Sequence, residues 1–202
     1  MSLAETDLAA REALKARQGK GARYDAPNAP AEDLLLARRG TAHFARKLME
    51  LPDAELYAPS AVEGLTRAHV VARIGYDARH QALALEAFGK GEIYTLPVLE
   101  EQQLPSLDLA ATLPARALRH LFQHSEVHLN VCWRDLTEEQ WDMEVVLVDG
   151  TTVPTRALPG IRAAAVWQGA LDLGNGMRDA ELPAVALLAA VRSRPIGKIG
   201  GS

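Results

Sequence analysis

Apolar residues recur at the period of an amphipathic helix in several separate stretches of the chain. Leu34, Ala37, Thr41, Phe44, Ala45, Leu48 and Leu51 fall on one face of a first helix, because residues three and four apart stand above one another. Thr66 is placed to cap a second helix running to Phe88, where "GKG" at 89–91 stops it. A loop with Pro97 and Pro105 follows. The third helix begins at "TLP", with Pro114 tolerated in its first turn, and gathers Leu118, Leu121, Phe122, Ser125, Leu129, Cys132, Trp133 and Leu136 on one side. A fourth, "IRAAAVWQGALDL", is apolar nearly all round, as a helix enclosed by its neighbours would be. Gly174, Asn175 and Gly176 end it.

Before the fourth helix, Trp141, Met143, Val145 and Leu147 alternate with more polar neighbours up to Asp149-Gly150, a dipeptide suited to a hairpin turn. Pro183 opens a last short helix, and "PIGKIGGS" reads as a frayed end. Residues 3–18 could form a helix, though with poor apolar spacing, and "QGKGARYDAPNAPAED" reads as a linker. The expected layout is an arm at 1–30 lying on the main domain or on a partner subunit, a helical domain at 31–194 and a flexible tail at 195–202. The expected fold is all-α, an antiparallel four-helix bundle with a short β-hairpin or extended excursion before the fourth helix.

Composition removes some function classes. The chain of 202 residues is 48% hydrophobic, enough for one good core. Its net charge is −4 and its basic residues are interspersed with acids, so no nucleic-acid partner is expected. The first residues carry Glu5, Asp7 and Glu12 without an apolar run, and no later stretch is long enough for a bilayer, which predicts a cytoplasmic protein with no membrane partner. The single cysteine, Cys132, allows no internal disulfide and reads as a small buried residue among Leu129, Trp133 and Leu136.

Two groups of side chains offer chemistry. On the second helix His69, Arg73, Tyr76 and His80 fall within about 60° of one another, opposite Val70, Ile74, Ala78, Leu85 and Phe88. The plain reading of such a stripe is a solvated face. On the third helix His120, His124 and His128 are spaced four apart, so adjacent members could share one ion. The outer pair, about 12 Å apart along the axis, could not. The sequence has no Cys-x-x-Cys pair, glycine-rich phosphate loop or nucleophile elbow.

Several segments taken together resemble one family. "LLLARRGTAHFARKL", "GLTRAHVVARIGYDA", "ALRHLFQHSEVHLNVCWR", "TVP" at 152–154 and the Arg162 to Gly174 segment with its "VW" and "ALDLG" are similar, in order and spacing, to the mycothiol-dependent maleylpyruvate isomerases, whose helical domain is a DinB-like bundle. The resemblance covers about 34–192. It implies a divalent metal, usually zinc, on two histidines and a glutamate with one position open, where a low-molecular-weight thiol binds as thiolate. The thiolate adds to the cis double bond of maleylpyruvate, the new single bond rotates, and elimination leaves trans fumarylpyruvate.

The motif matched by "TRAH" makes His69 the first metal ligand. The other two belong to a pattern R-x-x-E-V-W-x-H-x-x-D-L-G, and here the glutamate is Ala165 and the histidine Gly169. Arg73 replaces a second histidine usual one turn after the first, Leu65 replaces a tryptophan, and so does Gly160. The family's smaller C-terminal domain is expected to be absent. One histidine alone holds zinc weakly, and a cation at Arg73 repels a metal and attracts a carboxylate. The expectation is therefore a relative with a degenerate metal site and no cofactor, which binds a small acidic molecule through His69, Arg73, Tyr76, His80 and His124 without the ancestral activity. Two alternatives stand beside it. One is an active thiol- and metal-dependent isomerase in which His69 finds other partners, such as His80 or His124. The other is a structural protein that forms a homodimer.

Overall fold

The computed structural model describes residues 25–88, 105–146 and 151–184. Four helices make the bundle: α1 (Ala31–Met49), α2 (Arg67–Phe88), α3 (Ala115–Asp135) and α4 (Leu158–Asp172). A single helical turn, Leu107–Ala110, precedes α3, and β1 (Glu144–Val146) pairs antiparallel with β2 (Thr152–Pro154) just before α4. The all-α fold with a short hairpin before the fourth helix is thus the observed one. The hairpin is shorter than the alternation suggested: Trp141 lies in a 3-10 turn, Gln140–Asp142, fully buried. The expected Asp149-Gly150 turn, the "GKG" stop, the helix over 3–18 and most of the helix after Pro183 lie outside the described residues. No helix among the described residues is long and apolar enough to cross a membrane.

The helix directions follow from who touches whom. In α1 and α4, Gly160 faces Asp33, Trp167 donates to the Leu36 carbonyl at 3.2 Å, and Asn175 donates to the Lys47 carbonyl at 2.9 Å, so these two helices run the same way. Gly75 meets Leu121, and Glu86 meets His128, so α2 and α3 also run together. Ile74 against Gly169 and Arg67 against the Leu173 carbonyl set α2 antiparallel to α4. The bundle is two parallel pairs opposed to each other. A short loop would have made α2 and α3 antiparallel; the long connection between them returns the chain by about 33 Å, the length of α2.

On α1 the buried face is Leu34, Ala37, Gly40, Phe44 and Leu48. Gly40, not Thr41, is the inward residue of that turn, since a Cβ there would come within 2.5 Å of Val166 and 2.8 Å of the Trp167 indole nitrogen. That close approach of α1 to α4 needs the missing side chain. On α3 the buried positions Ala115, Leu118, Phe122, Ser125, Leu129 and Trp133 repeat at three and four, and Phe122 packs on Phe44 with ring centroids 5.0 Å apart. The α4 helix is buried at ten of its positions, from Leu158 to Asp172, as its composition predicts.

One of those ten is Arg162, which has no solvent exposure. Its guanidinium donates to the Ile74 carbonyl at 2.9 Å and to Asp77 Oδ2 at 2.5 Å, and it also pairs with Glu126. Thr41 donates to the other oxygen of Glu126 at 3.1 Å. All four helices therefore meet at one buried charge cluster. Burial pulls the Arg162 pKa below its ordinary value while Asp77 opposes the shift.

Two stability effects follow. Arg162→Ala leaves two carboxylates facing the core and should cost about 3–5 kcal/mol in urea unfolding. Gly40→Ala, which in an open helix would stabilise by about 1 kcal/mol, should instead destabilise by about 1–3 kcal/mol through overpacking.

Candidate functional site

His69 sits three residues past Thr66 at the start of α2. The Thr66 backbone N–H donates to His69 Nδ1 at 3.2 Å, and the Thr66 hydroxyl lies 2.7 Å from the same nitrogen. This is a capping box with histidine where glutamate is usual: the third helical residue reaches back to satisfy the cap residue's amide. Because Nδ1 accepts, the neutral ring carries its proton on Nε2, which faces Asp108 Oδ1 at 3.4 Å. A metal takes the bare lone pair of a ring nitrogen, and the bare nitrogen here already accepts from Thr66.

Arg73 does not stand free in a cavity. Its guanidinium pairs with Asp172 at the end of α4, and Gln168 holds the second Asp172 oxygen at 2.8 Å. Gly169 faces α2 between these groups, and a Cβ on it would come within 2.7 Å of Ile74 Cδ1 and 3.3 Å of Phe44 Cε2. Apolar side chains therefore fill the space that a longer residue at 169 would need. Ala165, one turn away, packs against the same core.

Tyr76 donates to the Pro105 carbonyl at 3.1 Å and its ring lies 6.1 Å from that of His80. Burial raises the Tyr76 pKa and lowers that of His80, whose buried Nε2 has no hydrogen-bond partner among the described residues. The third-helix histidines separate by task. His120 and His124 stack at 5.7 Å, whereas His128 binds Glu86 at 2.7 Å. Among the described residues, no set of three metal-binding groups includes His69, His80, His120 or His124.

A larger opening lies elsewhere, in a groove of about 660 Å³ between α2 and α3. Arg79, Arg116, His120 and His124 supply its polar lining, Pro114, Ala117 and Leu121 its apolar walls, and Ser125 its floor. Of the five expected ligand-binding residues only His124 borders it. Among the described residues neither arginine makes an ion pair and the hydroxyl of Ser125, a residue 1% exposed, has no hydrogen-bond partner. Arg79 and Arg116 were not singled out in the sequence because no motif marks them. They converge only once α2 and α3 lie side by side.

The model for the mycothiol maleylpyruvate isomerase N-terminal domain matches residues 37–174. Among solved structures, the chain is similar to the mycothiol-dependent maleylpyruvate isomerase, with 34% identity, a TM-score of 0.71, and coverage of 79% of this chain and 67% of that one. A histidine-to-alanine mutant of the same isomerase gives a TM-score of 0.74 at the same identity and coverage. YfiT from Bacillus subtilis, described as a probable metal-dependent hydrolase with an unusual four-helix bundle topology, shares the fold at 15% identity and a TM-score of 0.54, over 81% of this chain and 86% of its own. No curated protein matches.

If Ile74 and Phe44 close the space beside Gly169, the replacement pair Ala165→Glu and Gly169→His should yield a destabilised protein that gains no zinc. Adding Ile74→Ala should recover stability and allow zinc uptake, measured by elemental analysis after dialysis. Gain of zinc with Ile74 intact would refute the packing argument.

Proposed function

The chain belongs to the mycothiol maleylpyruvate isomerase N-terminal domain family, and from that premise we propose that it has given up the family's metal position and binds a small acidic molecule in the groove between α2 and α3. The first half of the reading rests on packing. Two of three expected donors are Ala165 and Gly169, which have no lone pairs to offer. Ile74 occupies the space beside Gly169, Arg73 and Asp172 neutralise each other, and the remaining histidine already accepts from the Thr66 amide at the start of α2. A divalent ion does not fit this set, and no thiolate is activated there.

The observation that carries the second half is the pair of guanidinium groups, Arg79 and Arg116, facing one cavity with no acidic partner among the described residues. The groove has the volume of an ordinary small-molecule site. Arginine grips a carboxylate through two parallel N–H donors. The imidazoles of His120 and His124 and the Ser125 hydroxyl add donors along the same side. These groups bind and orient; none is set to form a covalent bond.

Calorimetry with succinate as the probe should give one site per chain. Arg116→Ala and His124→Ala should each weaken it, the arginine by about 1.5–3 kcal/mol, while Arg73→Ala leaves it unchanged. Absence of any binding to the wild type would remove this reading. Loss with Arg73→Ala but not with Arg116→Ala would move the ligand to the His69–Arg73–Tyr76 stripe.

A further inference from the structure

Away from the groove, Glu86 near the end of α2 faces His128 and Cys132 on α3. The histidine and cysteine are four residues apart and stand one above the other on the helix surface. Glu86 Oε1 lies 2.7 Å from His128 Nε2, and one donor atom from each of the three groups lies within 4.8 Å of the other two. Tetrahedral zinc, with bonds of about 2.0–2.3 Å, holds its donors roughly 3.3–3.7 Å apart. The observed spread brackets that value, so the three donors already stand at about the spacing an ion needs. They border a pocket of about 230 Å³ that Asp135 and Gln140 also line, which leaves room for a fourth donor.

We propose that Glu86, His128 and Cys132 form a divalent-metal site, selective for zinc, at the C-terminal end of the α2–α3 pair. It is distinct from the family position, since Glu86 lies about 25 Å along α2 from His69. It is also independent of the anion groove. A thiolate with an imidazole and a carboxylate favours zinc over magnesium or calcium, which take oxygen donors alone. Without a cation the thiol is inert: burial pushes Cys132 up to about 12, and the charges of Glu86 and Asp135 add to the shift. A dication reverses that balance, because it is attracted by the same carboxylates and stabilises the thiolate. The step exchanges one bond for another: the S–H proton leaves to solvent as the S–Zn bond forms, with no change of oxidation state.

Cobalt(II) titration of the full chain reads the site through its thiolate-to-metal charge-transfer band. We expect that band to saturate at one equivalent, to be competed off by zinc, and to be accompanied by release of about one proton per metal at neutral pH. Cys132→Ser should abolish the band. Glu86→Gln changes a side chain 49% exposed, so it leaves the bundle folded, as circular dichroism would verify, and should weaken zinc roughly tenfold or more. No band in the wild type overturns the proposal, as does unchanged zinc affinity in Glu86→Gln and Cys132→Ser. Zinc lost with His69→Ala alone would put the ion at the family position and overturn it equally.

Discussion

Arg162 carries its charge to a place without solvent, and each helix of the bundle contributes to holding it there. An unpaired buried guanidinium would be far too costly, so Asp77 and Glu126 must lie where they do, and Thr41 must finish the second oxygen of Glu126. The consequence is registry. Apolar faces tolerate small slides past one another, but a fork of hydrogen bonds does not. The contact with the Ile74 carbonyl fixes α2 against α4 at the turn where the Ile74 side chain lies over Gly169. The charge cluster and the filled space beside Gly169 are thus two aspects of one helix contact.

In the proposed reading, two kinds of interaction close the family's metal position. On the inner side apolar atoms occupy the volume, with Ile74 and Phe44 against Gly169. On the outer side opposite charges close it, with Arg73 on Asp172 and Gln168 bracing the carboxylate. Each is stable without a metal, and each would have to be undone to admit one. The proposed binding chemistry is then found not between α2 and α4, where the family motifs point, but between α2 and α3.

The helices were legible because their burial follows the 3.6-residue period: the inward residues of α3 and the near-complete burial of α4 are visible in the letters. The period points to Thr41 and passes over Gly40, because a glycine contributes nothing to an apolar pattern and its importance is the approach it permits. The pairing of helix directions could not be read, since periodicity gives a face and not its neighbour. His69 was legible as a special residue, but its capping role would have required treating Thr66-x-x-His as a capping box, a spacing usually recognised by glutamate. Cys132 was read among its apolar sequence neighbours Leu129, Trp133 and Leu136. Glu86 and His128 stand beside it through packing with another helix and an adjacent turn.

The shared direction of α2 and α3 has an electrostatic result of its own. In an antiparallel pair the peptide dipoles cancel at each end, whereas within this pair they add, so the α2–α3 side of the bundle has its unpaired amide N–H groups together at one end and its carbonyls together at the other, with the opposed α1–α4 pair arranged the other way. The arginine-lined groove includes Pro114, Arg116 and Ala117 at the amide end of α3, and the Glu86–His128–Cys132 cluster lies toward the carbonyl ends of both helices. Along this one pair the backbone is polarised before any side chain is chosen, inviting anions where the two helices begin and cations where they end.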